Sequence, residues 1–333
     1  MARESAVVVG AGSISKAWFP PLTAERVDVR AVVDLKIEAA RRQVEQFELD
    51  CPASTDLRAT LKRARPDFVV DLTVPEAHCD VTCTALRAGC HVIGEKPMAA
   101  SMDQALRMVR TAEQTDRTYM VSQSRRWEPH HAAVRRAVAD GLAGRLTTLN
   151  CDFYIGAHFG GFRAEMESPL VLDMAIHHFD LARMFSGADP VAVYAHEFNP
   201  PGSWYAGDAA ASCIFEMTGG VVLTYRGSWC AEGCPTSWNG DWRIEGPGGS
   251  ISWTDNRIHY AHLHRTDEPK DEDVELLDVP PGGQAILDEF LSSIESDRDP
   301  ECCAEDNIKS LAMTLAAIKS AREGRKVEMD ELG

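Results

Sequence analysis

The chain has no apolar run long enough to cross a bilayer, no leader-like apolar segment after Met1-Ala2-Arg3-Glu4-Ser5, no internal repeat and no low-complexity tract. It also lacks an excess of positive charge. Lysine and arginine number 34 against 51 acidic residues, a formal net charge of −17, and that balance repels phosphate backbones and anionic membrane surfaces. Neither nucleic acid nor a membrane is an expected partner. Paired CxxC spacings are missing too: the cysteines at 51, 79, 83, 90, 151, 213, 230, 234, 302 and 303 are scattered, and several stand in apolar context where a thiol simply packs. Reduced thiols and a cytoplasmic protein are expected. At 333 residues the chain exceeds what one core usually supports, so two domains and a cleft are expected.

What the first half does contain is an alternation of strands and helices. Ala6-Val7-Val8-Val9 runs into Gly10-Ala11-Gly12-Ser13-Ile14-Ser15, a buried strand followed by a glycine turn and a helix start. This order sets a pyrophosphate on a helix N-terminus, with Gly10 for the tight turn and Gly12 for close approach of the diphosphate. Ser15 stands where a third glycine or alanine is usual, which predicts wider helix–strand packing or a different helix start. A second strand, Val29 to Val33, ends in Asp34 about 20 residues on, where a carboxylate suits an adenosine ribose diol. That favours NAD over NADP, a preference softened by Lys36; an ordinary cap or turn role for Asp34 is the alternative. Crossover helices through 37–47 and 57–64 lead to the strand Phe68 to Leu72, then to Thr73-Val74-Pro75-Glu76-Ala77-His78. Thr73 and Pro75 would border a cofactor there, while His78 reads first as a packing or capping residue.

The stretch His91-Val92-Ile93-Gly94-Glu95-Lys96-Pro97 is a short buried strand stopped by a charged pair and a proline. Glu95 and Lys96 are thereby expected at the carboxyl edge of an open sheet, where ligands bind; a surface pair before a turn is the plainer alternative. A helix from Ser101 to about Thr115 and the strand Tyr119 to Gln123 lead to Ser124-Arg125-Arg126-Trp127-Glu128-Pro129. An arginine here either clamps a polar ligand or pairs with acidic residues. In the second half, Leu170 to Leu181 reads as a helix with Asp173, His177 and Asp180 at i, i+4 and i+7, hence on one face. An imidazole titrating near neutrality can exchange a proton with an alcohol, and a buried polar stripe is the competing reading. Tyr154 and Arg163 would bind substrate or sit on the surface. Trp229 to Asn239 is a plausible specificity loop, Asp267 to Glu275 an acidic solvated loop, and the segments between alternate as strands.

Taken in order, Gly10-x-Gly12, Asp34, Thr73 to His78, Gly94-Glu95-Lys96-Pro97-Met98-Ala99 and Gln123 to Pro129 give the chain its resemblance to the Gfo/Idh/MocA oxidoreductases, the relatives of glucose-fructose oxidoreductase and inositol dehydrogenase. The Glu-Lys-Pro segment is the most specific of these, and the likeness runs nearly the whole length, to the closing helix around Ser320 to Arg325. It implies an α/β Rossmann domain over 1–125 and, over 126–333, an α+β domain with an open, mostly antiparallel sheet, the last helix packing back on the N-terminal lobe. It also implies an NAD(P)-dependent dehydrogenase or reductase acting on CH–OH groups of a sugar, cyclitol or derivative. The family pattern D-x-G-x-H-x-x-D falls on Asp173 to Asp180, with Ala175 in place of glycine. His177 then becomes the acid/base, Lys96 assists it, Asp173 orients a hydroxyl or the imidazole, and Asp180 anchors the helix. The implied cofactor set is Gly10, Gly12, Ser13, Ile14, Asp34, Thr73, Pro75, His78, Glu95, Lys96, Pro97 and Gln123, with a cis Lys96–Pro97 peptide. Lys96, Arg126, Tyr154, Arg163, Asp173 and His177 would hold the polyol, with no metal. Glu167-Ser168-Pro169 replaces the glycines usual before the helix. A homodimer or homotetramer is expected from the open sheet. An NAD-dependent glycosidase working through transient oxidation, or a non-catalytic NAD-binding regulator, are the other functions such a fold carries.

Overall fold

The computed structural model describes residues 4–24, 27–262, 269–280 and 282–332. The backbone groups into two units, Met1–Ser124 with Pro280–Ile308, and Arg125–Val279 with Lys309–Gly333. In the first, β1 (Glu4–Val9), α1 (Ser15–Thr23), β2 (Val27–Val33), α2 (Ile37–Gln46), β3 (Ala53–Ser54), α3 (Leu57–Ala64), β4 (Phe68–Asp71), α4 (Pro75–Arg87), β5 (His91–Glu95), α5 (Met102–Thr115) and β6 (Tyr119–Ser122) follow one another. The six strands lie in the order β3-β2-β1-β4-β5-β6, every pair parallel. A parallel sheet has helices on both faces, which is why Ala6-Val7-Val8-Val9, Phe68-Val69-Val70 and Val92-Ile93 are unbroken apolar runs, all buried. The crossover helices start on local signals: Asp56 accepts the Ala59 amide at 3.0 Å and Ser101 the Gln104 amide at 3.4 Å, while Pro75 opens α4 at a position that needs no N–H.

The late segment completes this unit. Phe290, on the helix Gly282–Glu295, meets Phe68 edge-on at 5.3 Å. The Val121 amide donates to the Cys302 carbonyl at 3.0 Å, and Met120 forms an antiparallel bridge with Cys303. A strand order read from the first 125 residues alone therefore omits the chain that closes the β6 edge.

In the second unit α6 (Pro129–Ala139) and β7 (Thr148–Tyr154) precede the turn Leu170–Ala175 and α7 (Ile176–Ser186). Then come β8 (Pro190–Phe198), β9 (Ala210–Met217), β10 (Val222–Ser228), β11 (Asp241–Gly246), β12 (Gly249–Thr254), β13 (Arg257–His262) and β14 (Lys270–Asp273). Beyond α8 (Gly282–Glu295) come α9 (Ala304–Glu323), β15 (Val327–Glu328) and a 3₁₀ turn, Met329–Leu332. The nine-stranded sheet runs β14-β13-β12-β11-β7-β10-β9-β8-β15, antiparallel throughout except that β7 and β10 are parallel. Its period-2 alternation buries Leu149, Cys151, Phe153, Phe215, Tyr225 and Trp253 against Val134, Phe179, Phe185 and Met313. The architecture is the α/β Rossmann plus open, mostly antiparallel α+β arrangement expected from sequence.

Two local expectations are corrected. The acidic stretch is not a loop over 270–273: it is the edge strand β14, held by backbone pairing and by Arg257 and His259, which bind Asp273 at 2.8 and 3.1 Å; residues 267 and 268 of that stretch lie outside the described residues. The helix expected from Leu170 begins instead with a π-wound turn, Leu170–Ala175, so strict α spacing does not govern Asp173 and His177.

Candidate active site

The first unit gathers its chemistry at the carboxyl ends of β1, β2, β4, β5 and β6. Gly10 has φ +100°, and a Cβ there would lie 2.6 Å from the carbonyl carbon and oxygen of Leu72, so only glycine fits. A Cβ on Gly12 would meet nothing within 4 Å, which leaves open space beside the start of α1. Ser15 is buried, and its hydroxyl donates to the Gly12 carbonyl at 2.6 Å; the serine closes the turn rather than widening it, and the helix starts at this residue. Asp34 accepts the amides of Ala11 and Lys36, both at 2.8 Å. Each carboxylate oxygen keeps further acceptor capacity for a diol. Leu35 is 94% exposed and Val74 60%, an unusual apolar rim for a polar edge and a surface on which flat rings stack.

Below that rim Asp71 organises the β4 end. It accepts the Thr73 hydroxyl at 2.6 Å and the Thr82 hydroxyl at 3.0 Å, and the His78 Nδ1 lies 3.1 Å away. His78 is buried; its Nδ1 lies against Asp71 and the Thr73 hydroxyl, bracing the Thr73–Pro75 turn, while its Nε2 has no partner among the described residues. At the β5 end Glu95 accepts the Trp18 indole N–H at 2.7 Å, and burial pushes its carboxyl up, opposed by that bond and by the Lys96 ammonium. Lys96 is half-buried and its peptide to Pro97 is cis. Gln123 is buried, with neither amide nitrogen nor oxygen partnered among the described residues. A buried carboxamide with no partner is costly unless a ligand satisfies it. The open space at Gly12, the acceptor at Asp34, the apolar rim and Gln123 together fit a dinucleotide; Ser13 and Ile14 frame the helix start between them. Asn307 at the head of α9 is a second buried carboxamide with both polar atoms unpartnered among the described residues; sequence reasoning missed it because nothing local marks a helix residue as inward and unsatisfied.

In the second unit the π-wound turn leads directly into α7. Asp173, in the turn, pairs with the Arg163 guanidinium at 2.5 Å, and that guanidinium also lies 4.7 Å from the Phe162 ring centre and 5.3 Å from that of Phe159. Arg163 and Asp173 are thus brought together, whereas the expectation that Asp173 shares a face with Asp180 is not met. Asp180 is buried and takes a bidentate pair from Arg126, both bonds 2.7 Å, plus the Ser310 hydroxyl at 2.7 Å. Arg126 is therefore corrected from a ligand clamp to an anchor: its guanidinium is engaged inside the core. The neighbouring Arg125 donates to the Trp238 carbonyl at 2.6 Å and to the Asn239 side chain at 3.3 Å, which fixes the loop carrying Trp238; burial pulls it down to about 10. Adjacent arginines in a 3₁₀ turn point apart, and sequence alone does not say which goes inward.

His177, the second residue of α7, is half-buried. His178 is buried among Phe153 and Tyr225, at 5.0 and 5.6 Å between ring centres, and burial holds it well below its ordinary value, so it stays neutral. Tyr154 ends β7 half-exposed, its carbonyl accepting the Thr236 amide at 2.9 Å. Among the described residues no cluster of three or more metal-ligating side chains occurs, and no helix is long and apolar enough to cross a membrane.

Residues 5–123 match the family model for the Gfo/Idh/MocA oxidoreductase NAD-binding Rossmann fold, and residues 131–252 match the GFO/IDH/MocA C-terminal domain. The chain belongs to the Gfo/Idh/MocA oxidoreductase family. It is an NAD(P)-dependent oxidoreductase, a dehydrogenase or reductase of that family. Among its relatives, the D-apiose dehydrogenase of Paraburkholderia graminis is 27% identical over 99% of this chain and 91% of its own. The inositol 2-dehydrogenase of Rhizobium meliloti is 26% identical over 97% of this chain and 98% of its own. In fold it is similar to an oxidoreductase from Agrobacterium radiobacter crystallised with NAD+, L-tartaric acid and magnesium, with a TM-score of 0.91, 21% identity and full coverage of both chains.

Proposed function

We propose that this family member oxidises a ring hydroxyl of a sugar, cyclitol or derivative, or reduces the corresponding ketone, with His177 as the acid/base and Lys96 assisting. The observation that carries the reading is the presence, in one chain, of a family-type Glu95-Lys96-Pro97 strand end and a helix head on which Asp173 and the half-buried His177 follow one another. When bound, the nicotinamide supplies the hydride acceptor. His177 takes the proton of the reacting hydroxyl at a ring nitrogen, and the carbinol C–H would give its hydride to that acceptor, so that proton and hydride together account for the ketone. The Lys96 ammonium stabilises the developing alkoxide, and Asp173, oriented by Arg163, accepts a neighbouring hydroxyl. Tyr154 and Phe162 offer rings to the sugar face. The relatives named for inositol and D-apiose support a polyol substrate. The ten thiols suit a cytoplasmic location, and the exposed Tyr194 and Ile214 on the outer face of the sheet suit a homo-oligomer.

A panel of inositols and aldoses, assayed with NAD and NADP separately by absorbance of the reduced nicotinamide, tests the reading. Accumulation of reduced cofactor with at least one polyol is expected, and cleavage of a glycoside without any accumulation would replace it with the transient-oxidation chemistry. His177→Ala and Lys96→Ala should each lower kcat by about 10²- to 10⁴-fold while NAD binding, read by tryptophan fluorescence, changes little. Full turnover in both variants would reject the assigned roles.

A further inference from the structure

The first unit carries a groove that the chemistry above does not use. It is a cavity of about 610 Å³ between α3 and the end of α4, lined by Arg58, Lys62 and Arg65 from the one and Arg87 from the other. Among the described residues no carboxylate lines it. In a chain of net charge −17, four cations meeting without an acid run against the composition. An adjoining cavity of about 710 Å³ shares Arg58 and Arg87 and does contain two acids, but both are engaged: Asp56 caps α3 at the Ala59 amide, and Asp80 binds Arg107 at 2.5 Å. Asp67, one residue beyond Pro66, accepts the Ser5 amide at 2.8 Å.

The four side chains are exposed and left unneutralised. Arg58, Lys62 and Arg65 make no side-chain hydrogen bond or ion pair among the described residues, and Arg87 makes one long bond, 3.4 Å to the Thr111 hydroxyl. Arg58 and Lys62 stand one turn apart on α3, a spacing at which like charges destabilise a helix. The helix dipole favours a cation in the last turn, as at Lys62 and Arg87, but not Arg58 in the first. Arg65 ends α3 at φ 44° and ψ 59°, a left-handed conformation that glycine usually takes. The Arg30 guanidinium holds it there by binding the Ala64 and Arg65 carbonyls, both at 2.9 Å. Local stability thus opposes this arrangement, and a multiply charged anion in the groove would offset it.

We propose that the groove is a second ligand site, for a small metabolite carrying two phosphate groups. Its volume suits a small molecule, and guanidinium forks from two helices match phosphate oxygens in pairs. Pro66 and Gly89 stand just before β4 and β5, so the groove opens at the amino ends of those strands. The glycine turn, Asp71 and Glu95 lie at the carboxyl ends, and along β4 four residues at about 3.3 Å each intervene. The occupant is therefore separate from the dinucleotide.

Calorimetric titration of the full chain at about 0.15 M salt, saturated with NAD so that the glycine turn is already filled, tests this. The probes are inorganic phosphate, pyrophosphate and fructose 1,6-bisphosphate. Saturable one-to-one binding of pyrophosphate or of the bisphosphate is expected, at least about tenfold tighter than inorganic phosphate. Preference for pyrophosphate would mean adjoining phosphates, and preference for the bisphosphate would mean phosphates at two ends of a sugar; either supports the site. Replacing Arg58, Lys62 and Arg87 together by alanine should weaken that binding at least about tenfold, with NAD affinity unchanged as the sign that the sheet has folded. Arg65→Gly should weaken it a few-fold without lowering Tm, since glycine suits the left-handed backbone; a purely structural arginine would lower Tm and leave binding alone. Absence of saturable binding by either diphosphate, or equal affinity in the triple variant, overturns the proposal. Binding of polyglutamate with neither diphosphate bound would also overturn it, giving the groove to an acidic protein.

Discussion

Gly10 and Gly12 stand two residues apart and serve opposite needs. Gly10 is glycine because Leu72 leaves no room and φ is positive; Gly12 is glycine although the protein leaves room to spare. Gly10→Ala should destabilise the chain by about 1–3 kcal/mol in urea unfolding, the usual cost of forcing a side chain into such a backbone. Gly12→Ala should leave Tm nearly unchanged and weaken NAD binding about ten-fold, equivalent to roughly 1.4 kcal/mol, by calorimetry. Equal Tm losses in the two would contradict the division of labour. The motif made both residues legible, since spacing and type announce a phosphate loop. Asp34 was legible for the same reason. Arg126 was not, because whether an arginine meets a ligand or a buried Asp180 is decided by which way a short turn faces, and no residue near it in sequence records that.

At the scale of the element, the informative departure is the π-wound turn at Leu170–Ala175. A wider turn ahead of α7 rotates the residues before it relative to the helix, so Asp173 meets Arg163 while Asp180 goes to the core. Arg163→Ala should take the guanidinium from Asp173 and loosen the short segment Gly161–Glu165; KM for the polyol should rise more than kcat falls, by a factor of about ten, one tenfold step in binding. A fall in kcat with KM unchanged would place Arg163 in the chemical step instead. The buried parallel strands were readable as apolar runs and the sheet of the second unit as alternation. The π turn was not, because helical winding of either kind carries the same sequence pattern, and neither was β14, whose charged residues pair through the backbone and through Arg257 and His259 rather than through any apolar face.

For the molecule as a whole, the outer face of the second sheet carries Tyr194 and Ile214, 50% and 51% exposed and directly opposed on β8 and β9. If two copies meet there, Ile214→Asp should place a charge in the contact and shift the mass measured by light scattering toward the monomer, with little change in far-ultraviolet dichroism; an unchanged mass would move the contact elsewhere. The net charge of −17 adds a general repulsion that such a contact has to overcome, so association should strengthen with salt. The completion of the first unit by residues from 280 onward has its own consequence. A ribosome that has released the first 124 residues has made a sheet whose last strand still waits for Cys302 and Cys303, and whose Phe68 still waits for Phe290. The nucleotide-holding half is therefore finished only after residue 303 has been made, and a gene cut after Ser124 should yield an aggregating fragment rather than a small NAD-binding protein.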